Sequence, residues 1–379
     1  MNRKKNGVAK PSAAAGQPKI ASNSLSSAQA WARHIIQFDA EDVSTYGPHT
    51  LPPAAVMLAA AHSPIPWPAG KQPKPAPLHP SPSPTQPLGQ FDYLVATWTT
   101  AEAKALADTL TPGFPSKTAW YPYAHKFQEE YVPLIRAGAP AVADSHRLGS
   151  FFPTTIAGKR VLCFKSELHM SQDGPKLPIA KLWQQLIAEI KPKLVLTTGT
   201  AGGIGPGMDL GDVVVAQSVR FDCTAKFKTA PFHKSIYACS KLQTTSLDLA
   251  QGLFAANAGR LPPASRPPRI VTRPLPAVKP LDVVTTDFFA FDDTSNQFGL
   301  QGLVAAVEMG DAVLGMVEQQ LGASAPKWSA VRNASDPQID SKGLTPKDAA
   351  RKASQIYEKF GYWTTIPSAI TCWALIVDN

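Results

Sequence analysis

The chain alternates between two kinds of hydrophobic pattern from residue 91 onwards. Short apolar runs, such as 93–98 and 193–198, predict strands that are buried on both faces of a sheet. Apolar residues recurring every three to four positions, as in 100–110 and 177–190, predict helices. This alternation predicts an α/β fold with three α/β/α layers around a central mixed sheet. Further strands are predicted at 160–166, 212–221, 281–287, 304–309 and 328–334, and further helices at 245–257, 311–321, 346–360 and 367–376.

The start of the chain lacks this alternation. Residues 1–22 are rich in Lys, Ala, Ser and Gly and show no periodicity, which predicts disorder. Residues 24–38 are the exception, because their spacing predicts one amphipathic helix with Trp31, Ile35 and Phe38 on a shared face. This helix is a candidate either for docking on the domain or for binding a partner.

Composition places a boundary near residue 90. Residues 1–90 hold 15 of the 37 prolines, and the Pro-rich stretch 64–90 predicts an extended spacer. Residues 1–90 carry 8 basic and 3 acidic side chains, net +5, while the rest carries 29 and 25, net +4. We therefore expect a mostly disordered tail, 1–90, which is a candidate for binding an unknown protein, before a domain at 91–379. At net +4, the domain is not expected to bind nucleic acid.

The cysteine pattern and the hydropathy restrict the setting of the protein. The chain has four cysteines, Cys163, Cys223, Cys239 and Cys372. None forms a C-x-x-C pair and no Cys/His cluster has zinc spacing, so we predict no metal and no cofactor. The first 25 residues contain no apolar core of signal-peptide length, and the apolar run 51–61 is interrupted by prolines and too short to span a bilayer. We expect a cytoplasmic protein that does not associate with membranes.

A glycine-rich segment suggests two different chemistries. Residues 198–205 fit the TGxxxGxG turn of short-chain dehydrogenases, and Tyr237 with Lys241 matches their YxxxK pair. A dinucleotide fingerprint must open a helix, however, because the helix N-terminus binds the pyrophosphate. Here the glycines are followed by Pro-Gly-Met-Asp-Leu-Gly-Asp and a run of valines, which predicts a turn into a strand. The pattern therefore argues against a hydride-transferring enzyme.

The same segment resembles the nucleoside phosphorylase superfamily. In 197–215 a strand ending in Gly-Thr-Ala-Gly-Gly precedes a Gly-Asp-Val-Val-Val strand, as in that superfamily. Segments 285–290, 304–309 and 328–336 are similar, in the expected order, to its S-G-D-x-F, V-E-M-E and R-x-x-S-D motifs. With Glu102 in the first helix, the pattern is most similar to the hydrolytic branch, which cleaves methylthioadenosine and S-adenosylhomocysteine. The resemblance implies a nucleoside phosphorylase-like domain, with a homo-oligomer as an open expectation.

The resemblance also implies a reaction, the cleavage of the N-glycosidic bond of a purine nucleoside or nucleotide. By resemblance, Asp336 protonates the leaving purine at N7, and Glu102 orients and deprotonates the attacking water. Ser335 and Arg332 are neighbours expected to adjust the pKa of Asp336. Phosphorylases hold phosphate with arginines, and the sequence offers no clear arginine set, which favours water as the nucleophile.

Further residues are expected to contact the substrate. Glycines in the 199–203 segment allow close approach of the backbone, so that exposed amides can bind an anion or an oriented water. By resemblance, one aromatic ring stacks on the purine, the next backbone unit reads the base edge, and the V-E-M segment contacts the sugar. The predicted substrate contacts are Thr200, Ala201, Gly202, Phe289, Ala290, Val307, Glu308, Met309 and Ser335.

One departure from the superfamily pattern puts the substrate in question. The second glutamate of V-E-M-E, which binds the ribose hydroxyls, is replaced by Gly310, and the glycine of S-G-D by Thr286. Losing a charged hydrogen bond costs on the order of 1.5–3 kcal/mol. This leaves three alternatives. Glu308 or Asp311 takes over the role of the missing glutamate, or the sugar of the substrate differs from ordinary ribose, or the protein binds its ligand without turnover. The alternative hypothesis is therefore a non-catalytic, sensor-type nucleoside- or nucleotide-binding module of the same fold.

Overall fold

The computed structural model describes residues 22–47, 50, 62–261, 266–273 and 282–379. The disorder predicted for residues 1–22 falls on residues outside this description except for Ser22, which begins α1, and the apolar run 51–61 also lies outside it. The helices are α1 Ser22–Gln37, α2 Thr100–Leu110, α3 Pro178–Ile190, α4 Leu247–Leu253, α5 Ala255–Ala258, α6 Asp311–Leu321 and α7 Pro346–Asp378. The strands are β1 Lys74–Pro75, β2 Tyr93–Thr97, β3 Tyr121–Tyr123, β4 Gly149–Ile156, β5 Lys159–Ser166, β6 Leu194–Gly203, β7 Val213–Val215, β8 Ser218–Phe221, β9 Ile236–Ala238, β10 Ile270–Val271, β11 Asp282–Thr285, β12 Ala306–Glu308 and β13 Lys327–Asp336.

Strand β6 is the centre of one mixed sheet. Along one edge it pairs with β13 in parallel, and along the other with β2 in parallel and then with β12 antiparallel. The sheet continues from β2 through β5 and β4 to β1, and from β12 through β11 and β8 to β9. Helices α3 and α6 pack on one face of the sheet through one apolar core, and α2, α4 and α7 pack on the other face through a second. The predicted three-layer α/β/α fold with a mixed sheet is confirmed.

Strand β6 differs from its prediction because it runs through the glycine segment as far as Gly203. Backbone groups there still find partners, since β13 and β12 flank the strand on both sides. The next strand is β7, so no helix follows the glycines, as the valine run predicted. The predicted strand 212–221 is divided into β7 and β8, and the predicted helix 245–257 into α4 and α5.

Helix α7 merges the two predicted helices, 346–360 and 367–376, into one. Pro367 lies within it, where it removes one backbone hydrogen bond. Packing against β13, β6, α2 and α4 stabilises the helix in spite of that loss. By length and composition α7 could cross a membrane, but 89% of its most apolar window is buried in the protein, which is typical of a core helix.

The described parts of residues 1–90 lie against the domain. Ala32, Ile35 and Phe38, on α1 and just after it, are buried in an apolar cluster that includes residues of α7. In the Pro-rich stretch, the ring of Trp67 lies 4.9 Å from that of Trp373, and β1 pairs with β4. This stretch was predicted as a spacer. It packs on the domain because its few large apolar side chains are accommodated there, and the boundary near residue 90 stays a prediction.

Candidate active site

A cavity of about 50 Å³ lies at the carboxyl ends of β2, β6 and β13. Parallel strands of α/β sheets usually bind ligands at this edge. All the site residues predicted from the sequence line this cavity: Glu102, Thr200, Ala201, Gly202, Phe289, Ala290, Val307, Glu308, Met309, Ser335 and Asp336. Their roles in binding and catalysis stay predictions. Among the described residues, no group of three or more His, Cys, Asp and Glu side chains is arranged to hold a metal ion.

Glu102 lies in the first turn of α2 and has donors on both carboxylate oxygens. Oε2 accepts hydrogen bonds from the Thr97 hydroxyl at 2.6 Å and from the amides of Trp98 and Thr99 at 3.0 and 2.9 Å. Oε1 accepts from the amide and the hydroxyl of Thr200 at 2.7 and 2.6 Å. A carboxylate offers about four acceptor sites, so this group is saturated. One of its structural roles is a reciprocal cap of α2 with Thr99.

These contacts keep Glu102 ionised. Burial alone would raise its pKa, but the charge of Arg332 and the hydroxyl donors lower the pKa below its ordinary value. Gly199 makes the close contact between β6 and α2 feasible. Its φ is +142°, and a Cβ there would lie 2.4 Å from the Glu102 carboxylate. The position of the Glu102 carboxylate therefore requires glycine at residue 199 of the motif.

Asp336 reaches the cavity through an irregularity at the end of β13. Ala334 pairs with Ala201, but Asp336 pairs with Gly202, so the register shifts at Ser335. Such bulges redirect side chains. Oδ1 of Asp336 accepts a hydrogen bond from the Ser335 hydroxyl at 2.8 Å, while its buried Oδ2 has no partner among the described residues.

The environment of Asp336 favours its protonated form. Burial raises the pKa of Asp336 to about 7, the Ser335 hydroxyl opposes this shift, and the charge of Asp292 adds to it. Arg332, the other neighbour suggested by the sequence, is not one of these causes. Its guanidinium instead forms two hydrogen bonds with Asp311, one of them at 2.7 Å between Nε and Oδ2.

Glu308 lies at the end of β12, beside the same buried cluster. It accepts hydrogen bonds from the Thr285 hydroxyl and from the amides of Gly310 and Asp311. The nearest nitrogen of Arg332 is 3.6 Å from Oε2. Burial and the charge of Asp311 raise the pKa of Glu308 above its ordinary value, against the lowering effect of Arg332. Glu308 therefore has a buried carboxyl group that several donors hold in place, and it lines the cavity.

Gly310, which stands in place of the second motif glutamate, lies close to the side chain of Trp98. A Cβ at this position would lie 3.2 Å from the indole of Trp98 and 3.6 Å from Oε2 of Glu308. A side chain at this position would therefore need the indole of Trp98 to shift by a few tenths of an ångström. Of the two substitutes suggested by the sequence, Asp311 is engaged with Arg332 and does not line the cavity, whereas Glu308 does.

Several cavity residues were missed from the sequence as substrate contacts. They include Ile35, Trp98, Thr99, His169 and Tyr357. His169 follows β5, so the rule that sites gather at the carboxyl ends of strands could have found it. Burial lowers the pKa of His169 to about 3, so its imidazole is neutral, and Nδ1 accepts from the Ser171 amide at 3.2 Å. Ile35 and Tyr357 come from α1 and α7, and no local pattern could place them there.

The chain is similar in sequence to known proteins. A sequence profile described as the phosphorylase superfamily matches residues 122–360. The 5'-methylthioadenosine/S-adenosylhomocysteine nucleosidase of Listeria innocua is 32% identical over 95 residues, and that of Lysinibacillus sphaericus 34% over 93 residues. Each match covers 24% of this chain and 38% of the relative, so the chain spans about two fifths of the length of these relatives.

The chain also aligns over most of its length with solved structures at low sequence identity. The futalosine hydrolase of Helicobacter pylori is 14% identical and covers 76% of this chain and 97% of its own, with a TM-score of 0.45. A 5'-methylthioadenosine/S-adenosylhomocysteine nucleosidase from Neisseria meningitidis, in complex with methylthio-immucillin-A, is 17% identical and covers 76% and 98%, with a TM-score of 0.43.

Proposed function

The chain belongs to the phosphorylase superfamily, and on that premise we propose that it hydrolyses the N-glycosidic bond of a purine nucleoside or nucleotide and releases the free base. The observation that carries this proposal is a pair of carboxyl groups in one cavity. Asp336 has a pKa near neutrality and an oxygen without a hydrogen-bond partner in the described part of the chain, while the pKa of Glu102 is lowered. Relatives named as nucleosidases support the hydrolytic form of the reaction.

Asp336 acts in this proposal as the general acid. A purine leaves readily only when a proton neutralises the negative charge that develops on it. Oδ2 of Asp336 has no hydrogen-bond partner among the described residues and lies where a Cβ on Gly202 would come within 3.2 Å, so the glycine leaves space for the base. Phe289 and Ala290 line the same cavity and supply an apolar surface for the ring.

Glu102 activates the water with help from Thr200. Because its oxygens are already saturated, Glu102 must release one donor before it can take a proton from water. Four of the five donors are backbone amides or the Thr97 hydroxyl behind them, whereas the Thr200 hydroxyl belongs to a residue of the cavity wall. Rotation of this hydroxyl opens a site for water beside the carboxylate. Glu308, which lines the same cavity, contacts the sugar as the oxocarbenium-like transition state forms.

Water is favoured over phosphate by the charges of the cavity. Among the described residues Arg332 is the one Lys or Arg that lines it, and Asp311 already engages that guanidinium. A phosphate dianion requires free cationic donors to offset its desolvation. We expect base release to be independent of added phosphate. A reaction that requires phosphate and yields a sugar phosphate would replace hydrolysis by phosphorolysis.

The test is base release from a panel of purine nucleosides and nucleotides, followed by chromatography. Asp336→Asn and Glu102→Gln should each lower kcat by about 10²–10⁴-fold, the usual contribution of one acid or base. Asp340→Asn, an exposed aspartate four residues further on, is the matched control and should keep full activity. Full activity of both cavity variants would overturn the assigned roles.

A sensor-type binding module is the second candidate. It is favoured by Gly310, which stands where the superfamily motif has a ribose-binding glutamate. Calorimetry with the same panel distinguishes the two functions. Tight binding of a nucleoside that stays intact for many hours at high protein concentration would support the sensor and exclude the hydrolase.

A further inference from the structure

The cavity is smaller than the substrate proposed for it. Its volume is about 50 Å³, whereas pockets that bind drug-sized ligands begin at roughly 300 Å³. Most of its wall belongs to the sheet and to segments that directly follow strands, where ladder hydrogen bonds fix the backbone. The wall formed by α1 lies outside the sheet. Opening the cavity therefore concerns α1 more than any strand.

Ile35 is the residue of α1 that lines the cavity. Its side chain is buried, and its carbonyl accepts a hydrogen bond from the Tyr357 hydroxyl at 3.0 Å. The same hydroxyl lies 3.0 Å from the hydroxyl of Thr99, which caps the helix of Glu102. Ile35 also shares an apolar cluster with Phe289. It therefore covers the cavity between the side expected to hold the base and the side that carries Glu102.

Polar contacts outside the cavity hold α1 in place. Nε2 of His34 lies 2.8 Å from Glu358 on α7, and Asp144 accepts hydrogen bonds from Arg33 and Gln37. The Arg33 pair is exposed, and such pairs stabilise little. Separating α1 from the domain would therefore break a few exposed hydrogen bonds, the part-buried His34 pair, the buried hydrogen bond from Tyr357 to the Ile35 carbonyl and one apolar cluster, and would leave the sheet intact.

We propose that α1 is the movable wall of the nucleoside pocket and that Ile35 determines which substituents on the substrate the pocket accepts. This inference rests on the proposed function, because it takes the cavity as a nucleoside site. Helix α1 precedes the residues that match the superfamily profile, so this wall is supplied by a segment outside the profile match. The contact made by Ile35 thus comes from a helix that precedes the profile match in the sequence.

Substitution of Ile35 tests the specificity. Two nucleoside series are compared, one with apolar groups of increasing length on the 5′ carbon and one with such groups on the purine ring. Ile35→Ala should raise kcat/KM for the longest members, relative to the unsubstituted nucleoside, by at least about tenfold in one series, the scale of one or two methylenes in an apolar pocket. Ile35→Trp should shift the preference the opposite way.

Ile36→Ala is the matched control, because Ile36 is the next residue of α1, is 6% exposed compared with 4% for Ile35, and does not line the cavity. It should share any loss of stability but keep the wild-type preference. Equal preferences for the wild type and both Ile35 variants in both series would overturn the proposal. If the wild type releases no base at all, the proposed function fails, and calorimetric affinities for the same two series decide the role of Ile35.

Hydrogen exchange tests the movement. A bound nucleoside should slow exchange of the α1 amides relative to those of α3, on the opposite face of the sheet, because the closed wall packs on the ligand. Unchanged exchange in α1 under saturating ligand would show that this helix does not open and close over the site.

Discussion

The candidate site depends on two carboxyl groups whose environments shift their pKa values in opposite directions. Donors on both oxygens and the charge of Arg332 hold Glu102 ionised, whereas Asp336 receives one hydroxyl and is otherwise buried. Divergent pKa values of neighbouring groups are typical of acid–base pairs. The types and positions of these residues were predictable from motifs. Their protonation states were not, because these depend on donors brought in by other strands.

The pH dependence of hydrolysis should reflect this pair. Since the pKa of Asp336 is about 7, its acidic form is lost as the pH rises through 7, and kcat/KM should fall by about tenfold per unit above it. Because the pKa of Glu102 is lowered, its ionised form is lost only below its ordinary range. A pH–rate profile from pH 4 to 10 measures both limbs.

Ser335→Ala sharpens this test. The Ser335 hydroxyl lowers the pKa of Asp336, so its removal should move the descending limb to higher pH. Thr294→Ala, which removes an exposed hydroxyl outside the cavity lining, should leave that limb unchanged. A descending limb at the same pH in the wild type and Ser335→Ala would show that Asp336 is not the acid.

At the scale of elements, hydrophobic periodicity located α2, α3 and α6 within one residue at each end, since each presents one apolar face to a core. Periodicity gave wrong bounds where contacts with residues distant in the sequence determine how far an element extends. Strand β6 extends through its glycines because β12 and β13 pair with it, and α7 passes Pro367 because its surroundings are packed. The same holds for the cavity. Its residues at strand ends were predicted from the sequence, whereas Ile35 and Tyr357, on helices distant in the sequence, were not.

Gly199→Ala probes the junction of β6 and α2. The new methyl group would meet the Glu102 carboxylate at 2.4 Å in a backbone conformation that other residues rarely adopt. We expect a loss of about 1–3 kcal/mol in the free energy of unfolding, measured with urea, together with lost activity. Gly252→Ala on α4, where a Cβ meets nothing within 4 Å, should be neutral or slightly stabilising. Equal stability of both variants would contradict the close contact.

At the scale of the whole molecule, composition alone was misleading. Proline density and charge separate residues 1–90 from the rest, yet the described part of that segment supplies α1 to the cavity wall and lays 62–90 along the domain. Low hydrophobicity predicts little burial on average. It does not exclude a few large side chains that anchor an otherwise polar stretch.

Substitution of Trp67 tests whether a few large side chains hold the Pro-rich stretch on the domain. Its ring packs 4.9 Å from that of Trp373, and the indole nitrogen of Trp373 donates to the carbonyl of Lys71 at 2.6 Å, so side chain and backbone of this stretch are both held. Trp67→Ala should lower the free energy of unfolding by about 1–3 kcal/mol, somewhat less than for a fully buried aromatic residue because Trp67 is only half-buried. Ser81→Ala, at an exposed position of the same stretch, should change it by less than about 0.5 kcal/mol. Equal, negligible effects in urea unfolding would mean that 62–90 is a spacer after all, and that the stability of the domain is independent of it.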